Sequence, residues 1–150
     1  MISMNNKMEQ ILKEKRESER KASTKLIAEK IIKKTRLINN CVIYDERGNL
    51  DEKSINFNRI LTIVKDWTGY EISCNELRFS LKDIPLNQIL YFVESIDFLL
   101  STRYKGKVFG IIVSLQDEEI ELRFHTYRYD EGLWLVNDLN KYDIPILYKI

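Results

Sequence analysis

Between Lys107 and Thr126 two runs of side chains leave little choice of local structure. In the first, Phe109, Ile111, Val113 and Leu115 fall on one side and Val108, Gly110 and Ile112 on the other. Both faces are apolar, which suits a strand inside a sheet. In the second, Ile120, Leu122, Phe124 and Thr126 alternate with Glu121, Arg123, His125 and Tyr127, so one face is buried and the other wet. The polar stretch Gln116 to Glu119 turns one run back on the other and makes an antiparallel hairpin.

The flanking segments supply what such a hairpin must pack against. Asn56 is placed to N-cap a helix with Phe57, Ile60, Leu61, Val64 and Trp67 on one face and Gly69 just past its end. Tyr70 to Leu81 alternates with Leu77, Phe79 and Leu81 in phase, while Ile72 and Cys74 are out of phase and require a bend near Asn75. After Pro85, the spacing of Leu86, Ile89, Leu90, Val93, Ile96 and Leu100 predicts an amphipathic helix, with Asp97 at the edge of its apolar stripe. Asn40 to Lys53 is a turn-rich connection, Asp130 to Gly132 turns the chain again, and Pro145 limits Ile144 to Ile150 to an edge strand or extended tail.

The first 40 residues differ from the rest in charge. They hold 11 basic and five acidic side chains, a net of +6, whereas residues 41–150 carry a net of −5, a split hidden in the overall +1. From Met4 to about Leu37 there is neither Gly nor Pro, and Glu9/Lys13, Glu17/Lys21 and Glu29/Lys33 stand in the favourable i, i+4 order. A long helix is expected. Between Lys13 and Lys25 its only apolar residue is Ala22, so that stretch should be solvated, and Leu26, Ile27, Ile31 and Ile32 should dock only the C-terminal half. The expected architecture is therefore α+β: a charged helical extension over 1–40, then one domain over 41–150 with an antiparallel sheet packed against two amphipathic helices. Two copies could pair through the extension.

Several function classes are disfavoured by what the chain contains. No apolar run is long enough to span a bilayer and no secretory signal opens the chain, which implies a cytoplasmic address and no membrane partner. Two cysteines 33 positions apart and a single histidine do not make a metal site, and free thiols are expected at Cys41 and Cys74. No phosphate-cradling glycine loop is present, so no cofactor is expected. His125 could share a strand face with Arg123, Tyr127 and Tyr129 and act as a base in phosphoryl transfer from RNA, but no second acid or base is identified, so no catalytic residue is assigned. Lys13 to Arg36 could contact nucleic acid, yet interleaved Glu and the lack of aromatics favour a solvated helix, and a nucleic-acid partner remains the second choice.

Residues 117–143 hold eight carboxylates against three basic side chains, with Tyr127, Tyr129, Trp134 and Tyr142 among them. Acids interleaved with amphipathic aromatics suit contact with a basic protein, and they equally suit solvated turns around tyrosines and Trp134 that belong to the core. The candidate partner-binding residues are Asp117, Glu118, Glu119, Glu121, Tyr127, Tyr129, Asp130 and Glu131, while Trp134 is expected to be buried.

The segment Ile120 to Tyr148, IELRFHTYRYDEGLWLVNDLNKYDIPILY, resembles small bacterial immunity proteins that accompany secreted polymorphic toxins. The resemblance implies a cytosolic, non-catalytic antagonist that binds one cognate toxin domain, many of which are basic nucleases. It extends loosely to the α+β pattern from Phe57 onward and does not include the N-terminal helix.

Overall fold

The computed structural model describes residues 1–14 and 19–150. Its centre is a five-stranded antiparallel sheet in the spatial order β1 (Ile2–Met4), β7 (Ile146–Lys149), β5 (Phe109–Gln116), β6 (Glu119–Thr126) and β4 (Glu76–Ser80). A second, two-stranded sheet joins β2 (Thr35–Ile38) to β3 (Cys41–Tyr44). The helices among the described residues are α1 (Asn6–Lys13), α2 (Ala22–Lys33), α3 (Phe57–Val64), α4 (Trp67–Cys74) and α5 (Ile89–Arg103). Among the described residues, no helix is long and apolar enough to cross a membrane.

Strand alternation divides the core. Phe109, Ile111, Val113 and Leu115 of β5 and Ile120, Leu122 and Phe124 of β6 pack with Phe92, Val93, Ile96 and Leu100 of α5, Ala28, Ile31 and Ile32 of α2, and Met8 of α1. On the opposite sheet face, Ile112 and Ile146 meet Ile72 of α4 and Leu135 and Leu139 of the C-terminal loop. The small sheet forms a third cluster, in which Ile38, Cys41 and Ile43 contact Tyr70 and the apolar faces of α3 and α4. Cys41 and Cys74 are free, as expected. β5 is apolar on both sides because both of its faces are covered.

The N-terminal region departs from the single long helix. The described residues hold a strand, two helices and a second strand instead, and Glu19 to Lys21 are not helical. Each of the two helices docks an apolar face, through Met8 of α1 and through Ala28, Ile31 and Ile32 of α2. The Glu17/Lys21 pair lies, through Glu17, outside the described residues. The buried side chain of Asn5 accepts from the backbone N–H of Met8 at 3.0 Å and Ile146 at 3.2 Å, and donates to the Ile144 carbonyl at 2.8 Å, so it both caps α1 and holds it to β7. The Gln88 side chain holds Lys21 N–H and the Glu19 carbonyl, each at 3.0 Å, and sets the entry into α2. Met8 of α1 and Ala28, Ile31 and Ile32 of α2 therefore share the core of the sheet, and the expected boundary at residue 40 is crossed by β1 pairing with β7 and by the packing of α2 on α5.

Three further corrections follow from local chemistry. The segment Tyr70 to Cys74, expected as strand, is helix: Asp66 caps it by accepting from Gly69 N–H at 2.7 Å, so Trp67 starts α4 rather than ending α3, and only Glu76–Ser80 is extended. The connection Asn40 to Lys53 contains β3, which turns back from β2 through Asn39 and Asn40, both at positive φ (49° and 62°), the type I′ pattern that Asn tolerates. Finally, β7 lies between β1 and β5 and is not an edge, since Pro145 precedes the strand and removes no ladder hydrogen bond from it.

Candidate functional site

The carboxylates singled out in the sequence fall at the two ends of β6. Gln116 pairs with Glu119 across a two-residue turn, Asp117 and Glu118, with φ of 51° and 63°. Both residues are left-handed, a conformation that costs an L residue about 1–2 kcal/mol and that Asn-Gly adopts more readily. Asp117, Glu118 and Glu119 are exposed, and no cationic side chain among the described residues pairs with them. Beside them lies a depression of about 320 Å³ lined by Arg78, Ser114, Gln116, Asp117, Glu119 and Glu121.

Moving inward from the turn, charge on this sheet face is neutralised. Glu121 pairs with Arg123 and, at 3.2 Å, with Arg78; Glu76 pairs with Arg78 at 3.4 Å and Arg123 at 3.8 Å. The Arg123 guanidinium lies 5.2 Å over the ring of Trp134, which is 43% exposed rather than buried. Glu121 is thus half-buried and engaged within the fold, unlike the three carboxylates at the turn. The four-residue ladder was not anticipated, because Glu76 and Arg78 sit on β4 and meet β6 only through the register Arg78 opposite Glu121.

The remaining candidates stand at the far end of the eight-residue β6, roughly 20–25 Å from the turn at the usual strand rise. Tyr129 is 92% exposed and Asp130 is exposed, whereas Tyr127 is half-buried. Glu131 faces inward: its carboxylate accepts from Trp67 N–H at 3.2 Å, Thr68 N–H at 2.8 Å and the Thr68 hydroxyl at 2.5 Å, capping the first turn of α4. Burial pushes its pKa up, but these hydrogen bonds and the Arg128 cation outweigh it and hold the carboxyl below the usual range. The structure therefore does not bring the eight residues into one patch. It leaves Asp117, Glu118 and Glu119 as one exposed group, and Tyr129 and Asp130 as another.

Next to Glu131 is a buried polar network that the sequence reading missed. Glu71 of α4, with no exposure, accepts from Val42 N–H of β3 at 3.3 Å, from Thr126 N–H and from Arg128 at 2.6 Å. One helical turn later, Asn75 accepts from Tyr44 N–H at 2.7 Å and donates to the carbonyls of Val42 at 2.8 Å and Phe124 at 3.1 Å. These two side chains occupy the outer edge of β3 and the end of β6 as a neighbouring strand would. Their i, i+4 spacing is the available signal, hidden once the segment is read as strand.

His125 belongs to the same interior. It is 1% exposed, its Nδ1 lies 2.8 Å from the Thr126 carbonyl, and its ring covers Gly110 so closely that a Cβ there would lie 2.5 Å from Nε2. Burial lowers its pKa against the opposing effects of the Thr126 carbonyl and Glu71, so the imidazole is held neutral. Burial likewise pushes the Cys41 thiol up to about 12. Neither group is placed for chemistry on a solvent-borne substrate, and no group of three or more metal-ligating side chains occurs among the described residues.

Comparisons with known proteins follow the same boundaries as the fold. No curated protein and no solved structure matches the chain. A family model matches residues 3–150, so it takes in Ser3 and Met4 of β1 and the N-terminal helices together with the rest of the sheet. By that match the chain belongs to the Uncharacterized protein PM0498 family.

Proposed function

We propose that this protein is a binding antagonist whose acidic hairpin tip engages a basic protein, in the manner of an immunity protein that neutralises a cognate bacterial toxin. The observation that carries the reading is the tip itself: Asp117, Glu118 and Glu119 are exposed and unpaired among the described residues, while Glu76 and Glu121 on the adjoining sheet face are both matched to arginines. Adjacent like charges in a left-handed turn weaken the fold. A basic partner would relieve that repulsion and be steered by it. The resemblance of Ile120 to Tyr148 to immunity proteins supports the same reading.

The test is affinity capture from cell extract with the tagged full chain and with a variant carrying Asp117→Lys, Glu118→Lys and Glu119→Lys. The wild type should retain a basic protein in stoichiometric amount, the retention should weaken with salt, and the variant should lose it. Expression of the captured protein alone should arrest growth, with rescue by the wild-type chain and not by the variant. Equal capture and equal rescue by both chains would remove the tip from the account. Recovery of nucleic acid in place of protein would favour the exposed lysines of α2 instead.

A further inference from the structure

β4 is a terminal strand of the five-stranded sheet, and its outer edge is open. Residues flanking a two-residue turn exchange both hydrogen bonds, so Gln116 and Glu119 form a bonded pair and Ser114–Glu121 and Ile112–Arg123 follow by alternation. The backbone groups of Ile120, Leu122 and Phe124 then point at β4, where they meet Phe79, Leu77 and the Asn75 side chain. The Leu81 N–H to Glu118 carbonyl bond, 3.0 Å, continues the same alternation. It follows that the N–H and C=O of Glu76 and Arg78, and the N–H of Ser80, face away from the sheet. The Ser80 carbonyl is taken by Asp83 and Ile84 N–H at 3.0 and 3.1 Å, and the other five outward groups have no protein partner among the described residues.

An open edge of this kind accepts an extended chain, and the side chains around it specify which. On the outer sheet face, Glu76, Glu119 and Glu121 stand against Arg78 and Arg123, and the exposed Asp117 and Glu118 of the adjoining turn bring the local excess to three negative charges. On the core face, Leu77, Phe79 and Leu81 are half-buried at the rim. A second copy of this chain fits poorly: antiparallel pairing of β4 with itself about Arg78 sets Arg78 opposite Arg78, and like charges directly opposite destabilise a sheet.

We propose that the basic partner adds an extended segment to the outer edge of β4, hydrogen-bonding to the backbone of Glu76 and Arg78, with its cations beside Glu76 and the Asp117–Glu119 tip and its apolar residues over Leu77 and Phe79. This rests on the reading of the tip as the partner-binding group. It adds the backbone edge and the conformation of the bound segment.

The probe is a capped peptide, Thr-Lys-Val-Thr-Val-Lys-Thr, which in antiparallel register sets Lys opposite Glu76 and Ser80 and Thr opposite Arg78. Amide hydrogen exchange and chemical shifts of the full chain are followed at millimolar peptide. The amides of Glu76, Arg78 and Ser80 should slow by about tenfold or more, while those of Leu77 and Phe79, already bonded to β6, should change little. The peptide N-methylated on both Lys and the central Thr should give no protection, and Arg78→Pro, which removes an outward N–H and no bond to β6, should weaken binding by about tenfold. If Arg78→Pro fails to fold, the N-methylated peptide decides alone.

No protection of β4, or equal binding by the methylated peptide, overturns the proposal. So does concentration-dependent protection without peptide, which would assign the edge to a second copy. A Glu-for-Lys peptide that protects β4 equally well would leave edge docking standing and defeat the acidic-tip reading. A basic peptide that perturbs only Asp117 to Glu119 would do the reverse.

Discussion

At position 71 a carboxylate with no exposure receives two backbone N–H groups and the Arg128 guanidinium. Glu71→Ala takes from that half-buried cation its short ion pair, leaving only Glu131 at 4.0 Å and the Thr126 carbonyl, and strips partners from Val42 and Thr126, a loss of about 3 kcal/mol, at the low end for broken buried pairs. Urea unfolding measures it, and a loss below about 1 kcal/mol would place the pair among ordinary surface bridges. At position 110 the constraint is steric. Gly110→Ala sets a methyl against the buried imidazole of His125, which should cost about 1–3 kcal/mol. Adding His125→Ser should restore part of that loss, so the double-mutant cycle is expected to be strongly non-additive.

The same histidine gives the fold a pH dependence. Its folded pKa is depressed by burial, while in the unfolded chain it binds a proton near pH 6.5. The unfolded state therefore takes up protons first as pH falls, and stability, complete above about pH 6.5, declines below it. Glu131, whose folded pKa is also depressed, adds a second loss as pH falls below about 4.3. Unfolding midpoints at stepped pH should show both phases, and His125→Gln should flatten the upper one alone. An upper phase unchanged in that variant would assign it to another group.

Among the elements, the hairpin tip carries the sharpest prediction. Asp117→Asn with Glu118→Gly supplies the residues that a left-handed two-residue turn favours and removes two adjacent charges, so stability should rise by about 1–2 kcal/mol. A thermal or urea midpoint that does not move would mean that the turn is unstrained. This hairpin was legible in the sequence because its alternation and its polar turn agree, as was α5, whose apolar spacing runs over three turns. Tyr70 to Cys74 was not legible: five residues cannot separate helix from bent strand by period, and the deciding signal is the Asp66 cap, which lies outside the run. The two-stranded sheet was hidden for a related reason, since Thr35 to Ile38 continues a helical-looking stretch and only the turn at Asn39 and Asn40 interrupts it. Of the candidate site, the exposed carboxylates at the tip were readable from composition. The inward role of Glu131 and the pairing of Glu121 depend on register and on α4, which no local pattern reveals.

Taken as a whole, the molecule balances its charges unevenly. Its interior and the middle of its outer sheet face are paired down to individual arginines, α2 displays exposed lysines, and the β5–β6 tip displays unpaired carboxylates beside the open edge of β4. On the proposed reading, the tip is kept acidic for a partner at some expense to stability. The most direct measurement is to compare the wild type with the Asp117→Asn, Glu118→Gly variant for thermal midpoint and for capture of the basic partner in parallel. The expected result is a higher midpoint together with capture weakened by about tenfold or more, a loss that cannot come from unfolding. A variant that is more stable and captures the partner as well as the wild type would contradict it.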